Sequence, residues 1–262
     1  MLGLGTSITS IDSELIYREL SELVNYTDLD VHYDWSNETT NMGYADGDAV
    51  EEAENLGAGG VTNRIATYAG GPKMDRTTMG RGSVLFDGTD DILTMAAAYT
   101  TTAKQFTLFW VFQKANTDNE FLFSSITEND DIPDDYIRLA DEDTFQFAMQ
   151  NQTAVNINTD NSVVDYDMVA NVSTVYVIRR LSGGSVVIYA DNGLSIATKG
   201  NTAVKAGATI EIGRLGGTIE GEFVELTGNI GEFGIYDVDI GDAAAITLSK
   251  ELSKKWGVSR TS

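Results

Sequence analysis

Apolar positions recur with two different periods along the chain, and the change falls near residue 28. In the first stretch Leu15, Ile16, Leu20, Leu23 and Val24 follow Ser13 and Glu14 at helical spacing, which predicts one short amphipathic helix. From Leu29 the period is two. Leu29, Val31, Tyr33 and Trp35 share one face, while Asp30, His32 and Asp34 share the other, as in a half-buried strand. Residues 37 to 82 are polar, glycine-rich and weakly patterned, which predicts a long loop or a set of short edge strands.

Beyond that loop, short strands are expected at Ser83 to Phe86, Ile92 to Met95, Phe106 to Gln113, Phe121 to Ser125, Tyr136 to Leu139 and Phe145 to Met149. Others are expected at Val175 to Arg180, Ser185 to Ala190, Ile210 to Ile212 and Gly228 to Tyr236, with a hairpin turn at Leu181-Ser182-Gly183-Gly184. Many short strands without intervening helices predict an all-β, antiparallel two-sheet sandwich of jelly-roll type. The last segment is helical again. Ile246, Leu248 and Leu252 are apolar, Asp242 is placed to cap the start, and Lys250, Lys254 and Lys255 crowd the end, where the helix dipole favours cations. Trp256 and Gly257 close it. The division expected is an arm over 1–28 and a sandwich over 29–262.

Composition narrows the function. The chain has 262 residues, 42 % of them hydrophobic, which allows one large core. With Cys 0, disulfides, thiolate nucleophiles and cysteine metal sites are excluded. Met1 to Ile11 has neither a basic start nor a sustained apolar run, so no signal peptide is expected. No window approaches the roughly 18 apolar residues of a membrane span. A net charge of −23 disfavours binding to nucleic acid and to anionic lipid. Solvation is the plain reading of that acidity, with calcium binding or adaptation to salt as the alternatives.

Three segments then resemble the laminin-G-type branch of the concanavalin A-like superfamily. They are Val84-Leu85-Phe86-Asp87-Gly88-Thr89-Asp90-Asp91-Ile92-Leu93, Gly228-Asn229-Ile230-Gly231-Glu232-Phe233-Gly234-Ile235-Tyr236-Asp237, and the ending from Ile240-Gly241-Asp242 to Lys255-Trp256-Gly257. Tyr189-Ala190-Asp191-Asn192-Gly193 adds a softer match to the same family. The order of the four over about Leu29 to Val258 is specific for fold. Trp256 is expected to plug one open end of the sandwich. The opening Asp34-Trp35-Ser36 and the K-W-G ending also resemble domains of tailed-bacteriophage virion proteins.

That resemblance implies a non-enzymatic virion structural protein, a capsid decoration or appendage subunit on the virion surface, made in the host cytoplasm. Its partners would be capsid proteins and further copies of itself, as a trimer. Leu2, Leu4, Ile8, Ile11, Leu15 and Ile16 are the candidate docking anchors of the arm, against a plain helix packed on its own domain. The alternative is a glycan-binding adhesin or tail-fibre module reading a host surface glycan. Sugars stack on exposed aromatics with polar neighbours, and Tyr33, Trp35, Tyr136 and Tyr176 are the candidates.

A second alternative is a glycoside hydrolase. Glu220-Gly221-Glu222-Phe223-Val224-Glu225 approximates a paired-carboxylate strand, but it lies close to the C-terminus and lacks the apolar residue expected at Gly221. An acidic turn explains it better. His32, the single histidine, lacks a nucleophile partner and reads as an ordinary strand residue. Asp130, Asp131, Asp134 and Asp135 crowd one loop and are weak candidates for calcium, since EF-hand spacing is absent and a solvated acidic loop accounts for them. No other cofactor is expected.

Overall fold

A computed structural model of the protein describes residues 28–102, 105–116, 120–126, 128–129, 132–133, 135–139, 144–148, 155–158, 166, 168–199, 210–217 and 225–259. The helix expected in the N-terminal arm and its candidate anchors, together with Asp130, Asp131, Asp134, Glu220 and Glu222, fall outside the described residues.

The body is two antiparallel sheets packed face to face. Sheet I contains β15 (Leu194–Lys199), β14 (Val186–Ala190), β13 (Thr174–Arg180), β6 (Phe106–Lys114), β17 (Thr227–Tyr236), β4 (Ser83–Asp87) and β3 (Lys73–Asp75) in that order. The opening strand β1 (Leu29–Asp34) joins it by pairing with β17, Leu29 opposite Tyr236 and Asp34 opposite Glu232. Sheet II runs β12 (Val155–Asn158), β11 (Thr144–Ala148), β10 (Tyr136–Leu139), β7 (Glu120–Ser124), β16 (Ile210–Leu215), β5 (Ile92–Thr101) and β2 (Ile65–Ala69). A small ribbon pairs β8 (Glu128–Asn129) with β9 (Ile132–Pro133). The expected jelly-roll sandwich is therefore the architecture found.

Alternation decides which residues meet between the sheets. Phe106, Leu108, Trp110 and Phe112 of β6 point inward, as do Ile137 and Leu139 of β10 and Phe145 and Phe147 of β11. Trp110 is the hub, with its ring centroid 5.0 Å from Phe123 and 5.5 Å from Tyr176. Such large rings bury much apolar area and add favourable edge and offset contacts. The segment 37–82 supplies two edge strands as expected: β3 ends sheet I and β2 ends sheet II. β12 and β15 were not expected from the sequence, being short and broken by polar residues.

A second apolar layer covers the outside of sheet I. Phe109 and Val111 of β6, Val175 and Val177 of β13, and Tyr189 and Tyr236 face away from the main core. The C-terminal helix (Asp242–Trp256) lays Ala245, Leu248, Leu252 and Trp256 on them. Trp256 is thus not an end plug. Its ring packs against β17 at Gly231, where a Cβ would fall within 2.4 Å of it. Gly234 gives Phe109 the same clearance, which explains the glycine spacing of the β17 motif.

Both ends of that helix differ from the expectation in detail. Gly241 occupies the N-cap and makes no side-chain cap; Asp242 sits in the first turn and turns its carboxylate to Arg179 and Tyr189. A neighbouring guanidinium and phenol outcompete a backbone amide for it. Gly257, at φ +67°, forms the left-handed C-cap, where its own amide and that of Val258 return to Lys254 and Ser253 carbonyls. Ser249 and Ser253, one turn apart, bond the β14–β15 turn through Ala190 O, Gly193 N and Asn192 N. Among the described residues no helix is long and apolar enough to cross a membrane.

Candidate functional site

The outer faces of the two sheets hold different chemistry. Under the C-terminal helix, the supposedly solvated face of β1 is buried. His32 Nε2 lies 2.8 Å from Glu232 Oε1, and Trp256 Nε1 donates to Glu232 Oε2 at 2.8 Å. Lys255 Nζ reaches Glu232 Oε2 at 2.6 Å and Asp34 Oδ2 at 2.7 Å. Asp34 Oδ1 accepts the Ser36 amide and hydroxyl, at 3.1 and 2.6 Å. The D-W-S opening, the G-E-F of β17 and the K-W-G ending therefore converge on one ionic cluster.

Burial alone would raise the Glu232 carboxyl, but the Lys255 ammonium and the His32 contact overcome it and hold it down to about 2. Burial lowers Lys255, while Glu232 and Asp34 push it further upward, above the ordinary ammonium value. His32 is a strand residue, as expected, and its ring pairs with the Glu232 carboxylate. It is not a solvent-facing strand position, because the helix covers it.

The outer face of sheet II has no such helix among the described residues. Strand register lines up Thr94, Arg214, Ser124 and Tyr136 across β5, β16, β7 and β10. At about 4.8 Å per strand this row spans roughly 14 Å. Arg138 and Gln146 form the next row, facing each other across β10 and β11. The Arg138 guanidinium sits 5.8 Å from the centre of the Tyr136 ring. Gln146 Oε1 accepts both Arg138 Nε at 2.5 Å and the Tyr136 hydroxyl at 3.2 Å. Burial pushes the Tyr136 phenol up, with Arg138 opposing, so the hydroxyl stays protonated and donating at neutral pH.

Toward the middle of the face, Ser124 Oγ donates to Gly217 O at 2.9 Å, and Arg214 donates to Ile126 O at 3.1 Å. Desolvation lowers Arg214, and the charge of buried Glu225 opposes this. Ser124 and Arg214 are themselves buried, at 0 % and 4 % exposure, so the accessible polar chemistry lies at the β10–β11 end, around the half-buried Tyr136, Arg138 and Gln146.

Of the four aromatic sugar candidates, the structure places Tyr33, Trp35 and Tyr176 in the core, at 0 %, 0 % and 1 % exposure. Tyr136 alone among them reaches the surface. Strand alternation assigns Tyr33 and Trp35 inward from the start, so they were never free to stack on a ligand. Arg138 and Gln146 were missed; the period-two reading of Tyr136 to Leu139 already sets Arg138 on the outward side.

Of the calcium candidates, Asp135 is described and is buried. Its Oδ2 accepts the Glu211 amide at 2.7 Å, which ties β10 to β16. A different acidic group, Asp87, Asp90 and Asp91, has oxygens within 4.8 Å of one another. It offers hard oxygen ligands of the kind calcium takes. Its carboxylates are already used by the turn: Asp91 accepts Gly71 N at 2.6 Å and Asp87 N at 2.8 Å, and Asp87 accepts Thr89 N at 2.8 Å.

No protein-family model and no curated protein matches the chain. Solved structures of the same fold do. Domain 4 of AbnA, a GH43 extracellular arabinanase from Geobacillus stearothermophilus, in complex with arabinotriose, superposes with TM-score 0.56 at 14 % identity, over 85 % of this chain and 98 % of that one. The heptameric SAP-like pentraxin of Limulus polyphemus gives 0.50 at 16 %, over 64 % and 81 %. Trypanosoma rangeli sialidase in complex with sialic acid gives 0.57 at 12 %, over 92 % of this chain and 38 % of the sialidase. At such identities the likeness is one of fold, a jelly-roll β-sandwich.

Proposed function

We propose that the chain is a non-enzymatic glycan-binding module whose ligand lies across the outer face of sheet II. The observation that carries this reading is the Tyr136–Arg138–Gln146 group. Gln146 fixes the guanidinium and the phenol together, giving an apolar ring face beside hydrogen-bonding groups, which is the combination a sugar ring needs. The ligand class is supported by the arabinanase domain, whose structure holds arabinotriose on the same fold.

Absence of catalysis is part of the proposal. Glu225, the described member of the acidic stretch, is buried beside Arg214 and is not presented on a strand with a second carboxylate. A place on a virion, a capsid partner and a trimer remain expectations from the sequence, resting on an arm outside the described residues.

A glycan array followed by calorimetry on the full chain tests the proposal. Saturable binding is expected, with a loss of at least tenfold in affinity for Tyr136→Ala and for Arg138→Ala. Binding that both variants retain would place the ligand elsewhere, and a chain that binds no glycan would end the reading.

A further inference from the structure

The ionic cluster beneath the C-terminal helix has more structure than an ion pair requires. Lys255, Asp34 and Glu232 have side chains only 7 %, 3 % and 0 % exposed, and one Nζ contacts both carboxylates at 2.7 and 2.6 Å. The two acids are held differently. Glu232 is fixed by His32 Nε2 and Trp256 Nε1, in addition to Lys255. Asp34 presents Oδ2 to the lysine, while its Oδ1 takes two donors from Ser36, the amide and the hydroxyl. A nucleophile, a carboxyl carbon, a proton carrier and a pair of donors on the remaining oxygen are thus assembled out of water.

We propose that Lys255 and Asp34 condense here into an intramolecular amide, with Glu232 carrying the proton. A proton passes from the Lys255 ammonium to Asp34 Oδ2, which leaves a neutral amine and a carboxylic acid. The amine lone pair attacks Asp34 Cγ and forms the N–C bond, while the carbonyl electrons move onto Oδ1 between the Ser36 donors. These act as an oxyanion hole for the tetrahedral intermediate. Glu232 takes a second proton from the nitrogen and delivers it to Oδ2. The Cγ–Oδ2 bond then breaks and one water leaves. The products are an amide N–H, an ionised Glu232 and water, so atoms and charge balance without any co-reactant.

Two physical terms favour the step. Fixing nucleophile and carbonyl in one geometry replaces the entropy a bimolecular amidation would need, an advantage worth effective molarities of about 10⁵–10⁸ M in well-oriented cases. Condensation also removes one buried ammonium and one buried carboxylate, each costly to keep ionised away from water. The bond would join the first strand of the sandwich to its last helix, closing the chain over residues 34 to 255.

Intact-mass spectrometry of the denatured full-length protein tests this, with Lys255→Arg prepared alike so that any processing of the chain ends cancels. Arginine keeps the charge and cannot form the amide. The wild type is expected to be lighter than its sequence by one water, relative to that variant, and to yield a digest peptide joining the Asp34 and Lys255 segments. Glu232→Gln is expected to restore the full mass. If Glu232→Gln does not fold, the wild type and Lys255→Arg still decide the matter. A wild type at full sequence mass with no joined peptide overturns the proposal and leaves an ion cluster.

Discussion

Strands β6 and β10 obey the same alternation, yet their outward residues meet opposite fates. In β6 the outward Phe109 and Val111 are buried in the layer of the C-terminal helix, and Thr107 is buried where its hydroxyl bonds Val238 O and Ile240 N just ahead of that helix. In β10 they are Tyr136 and Arg138, both half-buried at the surface of sheet II. An antiparallel sheet normally shows one apolar and one polar face. Sheet I departs from that rule by acquiring a helical cover; in sheet II the outward Ser124 and Arg214 of the middle strands are also buried, and the β10–β11 end keeps the rule. The cover makes sheet I a structural face and leaves sheet II as the surface with chemistry to offer a ligand.

That contrast ranks the expected effects of substitution. The largest belongs to Trp256→Ala, which empties a site packed between Gly231 and the ionic cluster. A loss of about 3–5 kcal/mol is expected by urea unfolding, as for other buried tryptophans. A change below about 1 kcal/mol would mean that the helix does not seal sheet I. Lys255→Met is expected to cost at least a comparable amount, about 3–5 kcal/mol, because it forfeits the amide to Asp34 and leaves Asp34 and Glu232 as buried carboxylates with no lysine between them.

Next comes Asp75, at the edge of sheet I. Burial pushes its carboxyl up, but the Thr78 and Thr77 amides and Asn229 Nδ2 outweigh this and hold it well below the usual carboxylate range. A folded value below the unfolded 3.8 means that Asp75 stabilises the fold above that pH and loses this contribution as the pH falls below it. Asp75→Ala should cost about 1–3 kcal/mol at neutral pH and progressively less in acid. An undiminished difference at pH 2 would contradict the assignment. The smallest effect on stability is expected for Tyr136→Ala, about 1 kcal/mol or less on a half-exposed strand position, although its effect on binding should be the greatest.

The sequence made the sandwich legible because period two survives wherever one face is wet. Tyr136 to Leu139 was read with its observed ends, and most other strands to within a residue or two. The run Phe106-Thr107-Leu108-Phe109-Trp110-Val111-Phe112 carries little alternation, a sign that both faces of that strand are covered. What could not be read was the partner of that second face. Nothing local in Asp30, His32 and Asp34 shows that Lys255 and Trp256, more than 200 positions away, will bury two of them. A charged residue on the outer side of a strand is solvated by default, and only the arrival of the helix changes its environment.

The same limit applies to the candidate site. Tyr136 was nominated together with Tyr33, Trp35 and Tyr176 on residue type alone; alternation separates it from Tyr33 and Trp35, while Tyr176 lies in a strand buried on both faces, where alternation gives no sign. Its pairing with Arg138 and Gln146 needs the register of β10 on β11, which brings together residues eight and ten positions apart in sequence. The K-W-G and D-W-S motifs were legible as strings. Their meaning, a Lys255 ammonium held between Asp34 and Glu232, became visible only in three dimensions.

The account turns on sheet II being the face that binds. Two-dimensional amide NMR of the full chain, titrated with the best glycan found by array, addresses this most directly. Shifts clustered on β10, β11, β7 and β16, and lost in Tyr136→Ala, are the predicted result. Shifts confined to the C-terminal helix and the outer side of sheet I would contradict it.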